Sequence, residues 1–246
     1  MMSLPLARQL LAWCVHIFTA FSAFFGLLAL AAIDQHHYVT ALWYMGIAFI
    51  IDNVDGTCAR FFRVAQYAYK IDGALLDNII DFFTYSMIPA FFILASNLLA
   101  PSYRILAAAL ICFASCYQFT QRDAKTEDHF FKGFPSYWNL VIFYAYCWHF
   151  SSAATLSVII ICAVGSFIPI KYLYPSRMEY LSTYKLCRHL MLLATLVWAA
   201  CAISLLALYP HSNSFVNYYS MGYIALYFLL SVYRTVKPLP IDSPAQ

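Results

Sequence analysis

The chain has 246 residues, 63% of them hydrophobic and 10% charged, with a formal net charge of +3. A soluble domain carries about 45–50% apolar and about 25% charged residues. The composition therefore excludes a soluble globular protein, and the small net charge gives no reason to expect a nucleic-acid partner. The class is an all-α, polytopic integral membrane protein.

Eight apolar stretches have roughly the length a bilayer core asks for: 10–33, 38–54, 74–98, 104–120, 137–150, 153–171, 188–209 and 216–234. The first is too long for a secretory h-region and only Arg8 precedes it, so it is expected to be a retained helix rather than a signal peptide. Near its start lie His16 and Thr19, within reach of a ligand held at that membrane face. The fifth stretch is short. The tail 237–246 is rich in proline and is expected to be disordered. Single cysteines scattered through apolar runs, with no Cys-x-x-Cys pair, read as small buried hydrophobes rather than disulfides or zinc ligands. No repeat or soluble insertion interrupts the pattern, and one domain over 1–246 is expected.

Loop charge sets the orientation. With the N-terminus in the cytoplasm, eight spans return the C-terminus there. Thirteen of the 14 Lys and Arg residues then face the cytoplasm, Arg104 being the exception.

The second and third spans frame the chemistry. Five of the 11 acidic residues, Asp52, Asp55, Asp72, Asp77 and Asp81, fall between positions 52 and 81. Ionisable groups at membrane depth are costly and mark ion or reaction sites. Asp52 and Asp55 are spaced i, i+3 at the end of one helix, and Asp77 and Asp81 i, i+4 at the start of the next, so each pair projects from one face. Packed side by side, the helices bring four carboxylates together. Their mutual repulsion calls for hard divalent cations, Mg²⁺ or Mn²⁺, in an all-oxygen site. Four carboxylates suggest two ions, suited to displacement at phosphorus. Gly56 and Gly73 allow close approach, Ala59 keeps its face shallow, and Arg60 suits a phosphate. Asp72 reads as a residue favourable to a helix N-terminus. The competing explanation is an interfacial loop in which these carboxylates pair with Arg60, Arg63 and Lys70.

The loop 121–137 holds the other acidic cluster, Asp123, Glu127 and Asp128, beside Tyr117, Phe130, Phe131, Phe134, Tyr137 and Trp138. Aromatic faces with a nearby anion suit a quaternary ammonium. An ordinary interfacial aromatic belt gives the same composition.

The pattern Asp52-x-x-Asp55-Gly56-x-x-Ala59-Arg60, followed by Gly73-x-x-x-Asp77-x-x-x-Asp81, resembles the signature of the CDP-alcohol phosphotransferases at all eight positions. The twelve residues between Arg60 and Gly73 are more than in most members and resemble the bacterial phosphatidylcholine synthase branch. So do Val15-His16-Ile-Phe-Thr19-Ala20 and the stretch from Lys125-Thr126-Glu127-Asp128 through Gly133-Phe134-Pro135 to Trp138-Asn139. The resemblance covers about residues 10–235. It implies transfer of the phosphatidyl group from CDP-diacylglycerol to choline, releasing CMP. Asp52, Asp55, Asp77 and Asp81 would hold the metals, with Asp81 also the base. Asp52, Gly56, Ala59, Arg60 and Gly73 would seat the nucleotide, and Asp123, Glu127, Asp128, Tyr117 and Trp138 would form the choline site. It further implies the bacterial inner membrane and a possible homodimer, while the loop charge puts the acidic segment at the cytoplasmic membrane surface. Two alternatives stay open: another acceptor (serine, glycerol phosphate or inositol phosphate), or a cation transporter using the same carboxylates.

Overall fold

A computed structural model of the chain describes residues 4–174, 181–182 and 184–237. The expected tail at 238–246 and Arg177 lie outside the described residues. The helices are α1 (Leu4–Asp34), α2 (Tyr38–Phe61), α3 (Val64–Tyr67), α4 (Gly73–Asp81), a π-helical turn (Phe82–Met87), α5 (Ile88–Ala95), α6 (Pro101–Thr120), α7 (Trp138–Cys147), α8 (Ser152–Gly165), α9 (Lys185–Ala207) and α10 (Ser214–Val236). Two short strands, β1 (Phe131–Lys132) and β2 (Lys171–Tyr172), pair antiparallel.

Each expected apolar stretch contains a helix, and the protein is an all-α polytopic membrane protein. Among the described residues, five continuous helical segments are long and apolar enough to cross a bilayer: Leu6–Asp34, Gly73–Ala95, Pro101–Thr120, Lys185–Ala207 and Ser214–Val236. Helices α7 and α8 are shorter. Many large apolar side chains, among them Leu27, Ile105, Phe113 and Leu229, are more than half or nearly half exposed. Such a surface is tolerable only against lipid. Of the cysteines expected to be buried, Cys147 and Cys201 are, whereas Cys14, Cys116 and Cys187 lie exposed.

The chain divides into two compact units, Met1–Cys112 with Tyr137–Phe143, and Phe113–Ser136 with Tyr144–Gln246. In the first, α1 and α2 pack together through small residues, including Ala29, Ala32, Ala41 and Ala48, with Ser22 donating to the Ala48 carbonyl at 3.2 Å. Small side chains let membrane helices approach closely, because lipid supplies no hydrophobic drive for their association. Gly26 shows the tolerance: a Cβ there would stand 2.7 Å from Phe83 and 2.8 Å from Ile88. The segment Gly73–Ala95 thereby lies against α1. It runs antiparallel to α2, since the Tyr38 hydroxyl donates to the Ala95 carbonyl at 2.8 Å at one end and the signature carboxylates meet at the other.

In the second unit, the strand pair is strapped to α10. The Lys171 amide donates to Thr235 Oγ1 at 2.7 Å and the Tyr227 hydroxyl to the Leu173 carbonyl at 2.9 Å. Helix α9 joins α10 through the Thr195–Tyr223 hydroxyl pair and the stacked Trp198 and Tyr223 rings.

Candidate active site

Helix α2 continues beyond residue 54, where its apolar run stops, as far as Phe61. The polar last turns remain helical and hold Asp52 and Asp55 on one face. Helix α4 begins where Asp72 caps it, its carboxylate accepting from the amides of Ala74 and Leu75 at 3.1 and 3.0 Å. Such a cap satisfies amides that a helix leaves orphaned, so Asp72 is a structural residue, as its position outside the signature implies.

The two helices bring Asp52, Asp55 and Asp77 together, with one carboxylate oxygen of each within 4.8 Å of the others. Asp55 is buried, and Asp52 and Asp77 are half-buried. The donors that hold two of them are neutral: Thr19 of α1 bonds Asp55, and the buried Tyr85 hydroxyl donates to Asp52 Oδ2 at 2.5 Å. Asp81 is outside that trio, one turn beyond Asp77 on α4, and its charge reaches Tyr85.

Arg60 folds back along its own helix. It donates to Thr57 Oγ1 at 3.0 Å, and a Cβ on Gly56 would meet its Nη1 at 3.5 Å. The guanidinium thus lies across the glycine face, exposed and oriented. Ala59 packs beside a small cluster of Ala12, Val15, Val64 and Ala68. That cluster joins α2 to α1 and to α3, the helix folded from the twelve-residue gap. Arg63 takes a left-handed conformation at the start of α3 (φ 51°). Gly73 faces α1, where a Cβ would stand 3.4 Å from His16 Cε1. His16 is buried, and its Nε2 has no hydrogen-bond partner among the described residues.

The acidic loop residues are in a different condition. Asp123 accepts from Lys132 Nζ at 2.5 Å and from Gln121 at 2.9 Å. These two donors hold its carboxyl below the usual carboxylate range. Asp128 accepts from Lys171 Nζ at 2.6 Å. Burial opposes its ionisation, yet the Lys171 bond prevails and its carboxyl also titrates below the usual range. Glu127 is exposed. Tyr117 packs on Phe167, ring centroids 4.5 Å apart. Trp138, in the first unit, is fully buried. The loop carboxylates Asp123 and Asp128 are thus engaged by lysines that the sequence reading did not pair with them.

Sequence reasoning missed Tyr85. The available signal was its spacing, four residues after Asp81 on the same helical segment. It stands in the π-helical turn, a form frequent at functional sites, with Phe49 and Tyr137 beside it at centroid distances of 5.9 and 6.1 Å.

A family model for CDP-alcohol phosphatidyltransferases matches residues 10–170. The chain belongs to that family. Among its curated relatives is a phosphatidylcholine synthase of Legionella pneumophila subsp. pneumophila, 44% identical over 229 residues, 93% of this chain and 90% of the relative. A second, from Legionella bozemanae, is 43% identical over 87% of this chain and 99% of its own length. A third, from Borreliella burgdorferi, is 35% identical over 93% and 96% respectively.

Proposed function

We propose that this protein transfers the phosphatidyl group of CDP-diacylglycerol to choline, releasing CMP. The observation that carries the reading is the trio Asp52, Asp55 and Asp77 with oxygens within 4.8 Å, set in a signature whose curated relatives are phosphatidylcholine synthases. Alignment over 93% of the chain supports treating the whole of it as one catalytic domain.

Crowded carboxylate oxygens whose donors on Asp52 and Asp55, among the described residues, are neutral fit divalent cations. Oxygen ligands at about 2.0–2.6 Å from a cation lie a few ångström from one another, as here. Asp52, Asp55, Asp77 and Asp81 would hold the ions, two in number and Mn²⁺ or Mg²⁺ by hardness. When bound, such ions neutralise the diphosphate and the departing CMP. Asp81 takes the hydroxyl proton of choline as its oxygen bonds to the phosphatidyl phosphorus. The bond from that phosphorus to the CMP oxygen breaks, its electron pair leaving with CMP. Arg60, oriented across Gly56, meets the diphosphate, and Gly73 admits the nucleotide beside α1. Positioning supplies most of the rate, since effective molarities of well-held groups are large. Loop charge supports placing this site at the cytoplasmic face of a bacterial inner membrane. The family resemblance supports a homodimer.

The test is CMP release by purified protein given CDP-diacylglycerol and Mn²⁺, with choline, serine, glycerol phosphate and inositol phosphate offered separately. Choline-dependent release is expected. Release with serine alone would move the protein to another acceptor, and no release with any acceptor would remove the transferase reading.

A further inference from the structure

Choline's recognition constrains where it lies. Its hydroxyl oxygen and its nitrogen are joined by a two-carbon bridge, three bonds of about 1.5 Å each, so the two atoms stay within about 4 Å of each other. A hydroxyl delivered to Asp81 therefore keeps its trimethylammonium group beside the signature carboxylates. That group donates no hydrogen bond and is attracted to the negative faces of aromatic rings.

The first unit places one aromatic group against those carboxylates. Tyr85 is bonded through its hydroxyl to Asp52 and lies within the electrostatic reach of Asp81. The hydroxyl bond fixes the ring's attitude. Phe49 and Tyr137 flank it at 5.9 and 6.1 Å, tilted by 51° and 42°. Neither flanking ring is stacked parallel on Tyr85. Tyr85 is buried, whereas Phe49 and Tyr137 are partly exposed, so any approach to the group is past those two rings. The π-helical turn Phe82–Met87 sets this register immediately after Asp81.

We propose that Tyr85, with Phe49 and Tyr137, is the quaternary-ammonium subsite of the acceptor. This rests on the reading of the protein as a choline phosphatidyltransferase. It places the acceptor cation on α2, the π-helical turn and the start of the Tyr137–Phe143 segment rather than beside the acidic residues Asp123, Glu127 and Asp128.

The experiment measures CMP release by the full-length protein against choline concentration at saturating CDP-diacylglycerol and Mn²⁺, and then against CDP-diacylglycerol at saturating choline. Tyr137→Leu is expected to raise the choline KM about tenfold, the size of one partly desolvated cation–π contact, with the KM for CDP-diacylglycerol unchanged, and Tyr85→Leu, which also removes the bond to Asp52, is expected to raise the choline KM as much and to lower kcat. Tyr85→Phe keeps the ring and is expected to hold the wild-type choline KM, with its loss falling on kcat. Tetramethylammonium should compete with choline in the wild type and lose potency in the leucine variants. If Tyr85→Leu does not fold, Tyr137→Leu and Phe49→Leu decide. A wild type whose CMP release ignores choline would overturn the underlying reading. A choline-dependent wild type whose leucine variants keep the choline KM would overturn this subsite alone.

Discussion

The carboxylates at the facing ends of α2 and α4 and those of the loop after α6 are the same kind of group in opposite circumstances. Asp52 and Asp55 crowd each other and Asp77, and the donors on them are a tyrosine and a threonine. Asp123 and Asp128 each hold a lysine ammonium at 2.5–2.6 Å. A carboxylate with its own cation is electrostatically complete. Carboxylates gathered with neutral donors are complete only when a cation arrives, because like charges at close range otherwise resist ionisation. The first arrangement steadies a loop, and the second fits the family's chemistry. Acidic residues and aromatic neighbours alone do not tell the two apart.

The largest expected effect lies on the crowded side. Asp81→Asn removes the group assigned as base while keeping its shape, and turnover is expected to fall by about 10²–10⁴-fold with the melting temperature of the detergent-solubilised protein retained. Turnover within a few-fold of wild type would take that role from Asp81.

On the loop side, Gly133 occupies a left-handed conformation (φ 79°), and a Cβ there would stand 2.3 Å from the Ser166 carbonyl oxygen. Gly133→Ala is expected to destabilise the second unit by about 2 kcal/mol, read as a lowered melting temperature. An unchanged melting temperature would show that this turn has slack.

The smallest effect sharpens the comparison most. Asp128→Asn exchanges a charge-assisted bond for a neutral one and should cost about 1 kcal/mol at neutral pH. The folded pKa of Asp128 is lowered, so its contribution is present above the unfolded value of about 3.9. It is lost as pH falls through the folded pKa. The stability gap between variant and wild type should therefore close under acid, with the choline KM unchanged throughout. A raised choline KM in this variant would return the loop to the acceptor site.

The positions of the helices were legible because apolar run length reports them directly: the expected 74–98 is Gly73–Ala95, and 188–209 is Lys185–Ala207. Hydropathy stopped α2 at 54, whereas the polar turns beyond it stay helical, with Asp55 bonded to Thr19 of α1. The expected 153–171 ends at Gly165, where the chain turns into the strand pair. The signature carboxylates were legible because helical spacing is local. The Asp128–Lys171 pair was not, since 43 residues separate its members. Nor were α3 or the π-helical turn. The first is fixed by docking Val64 and Ala68 on α1, and the second carries no distinctive composition. The docking of α3 depends on contacts distant in sequence.

The contrast between the two sets of carboxylates is tested most directly by Mn²⁺ titration of the purified protein, followed by electron paramagnetic resonance without substrates. Wild type and Asp128→Asn are expected to bind Mn²⁺ alike, while Asp55→Asn loses binding by tenfold or more. Equal binding by wild type and Asp55→Asn, or loss in Asp128→Asn alone, would contradict the assignment of the metal to the crowded carboxylates.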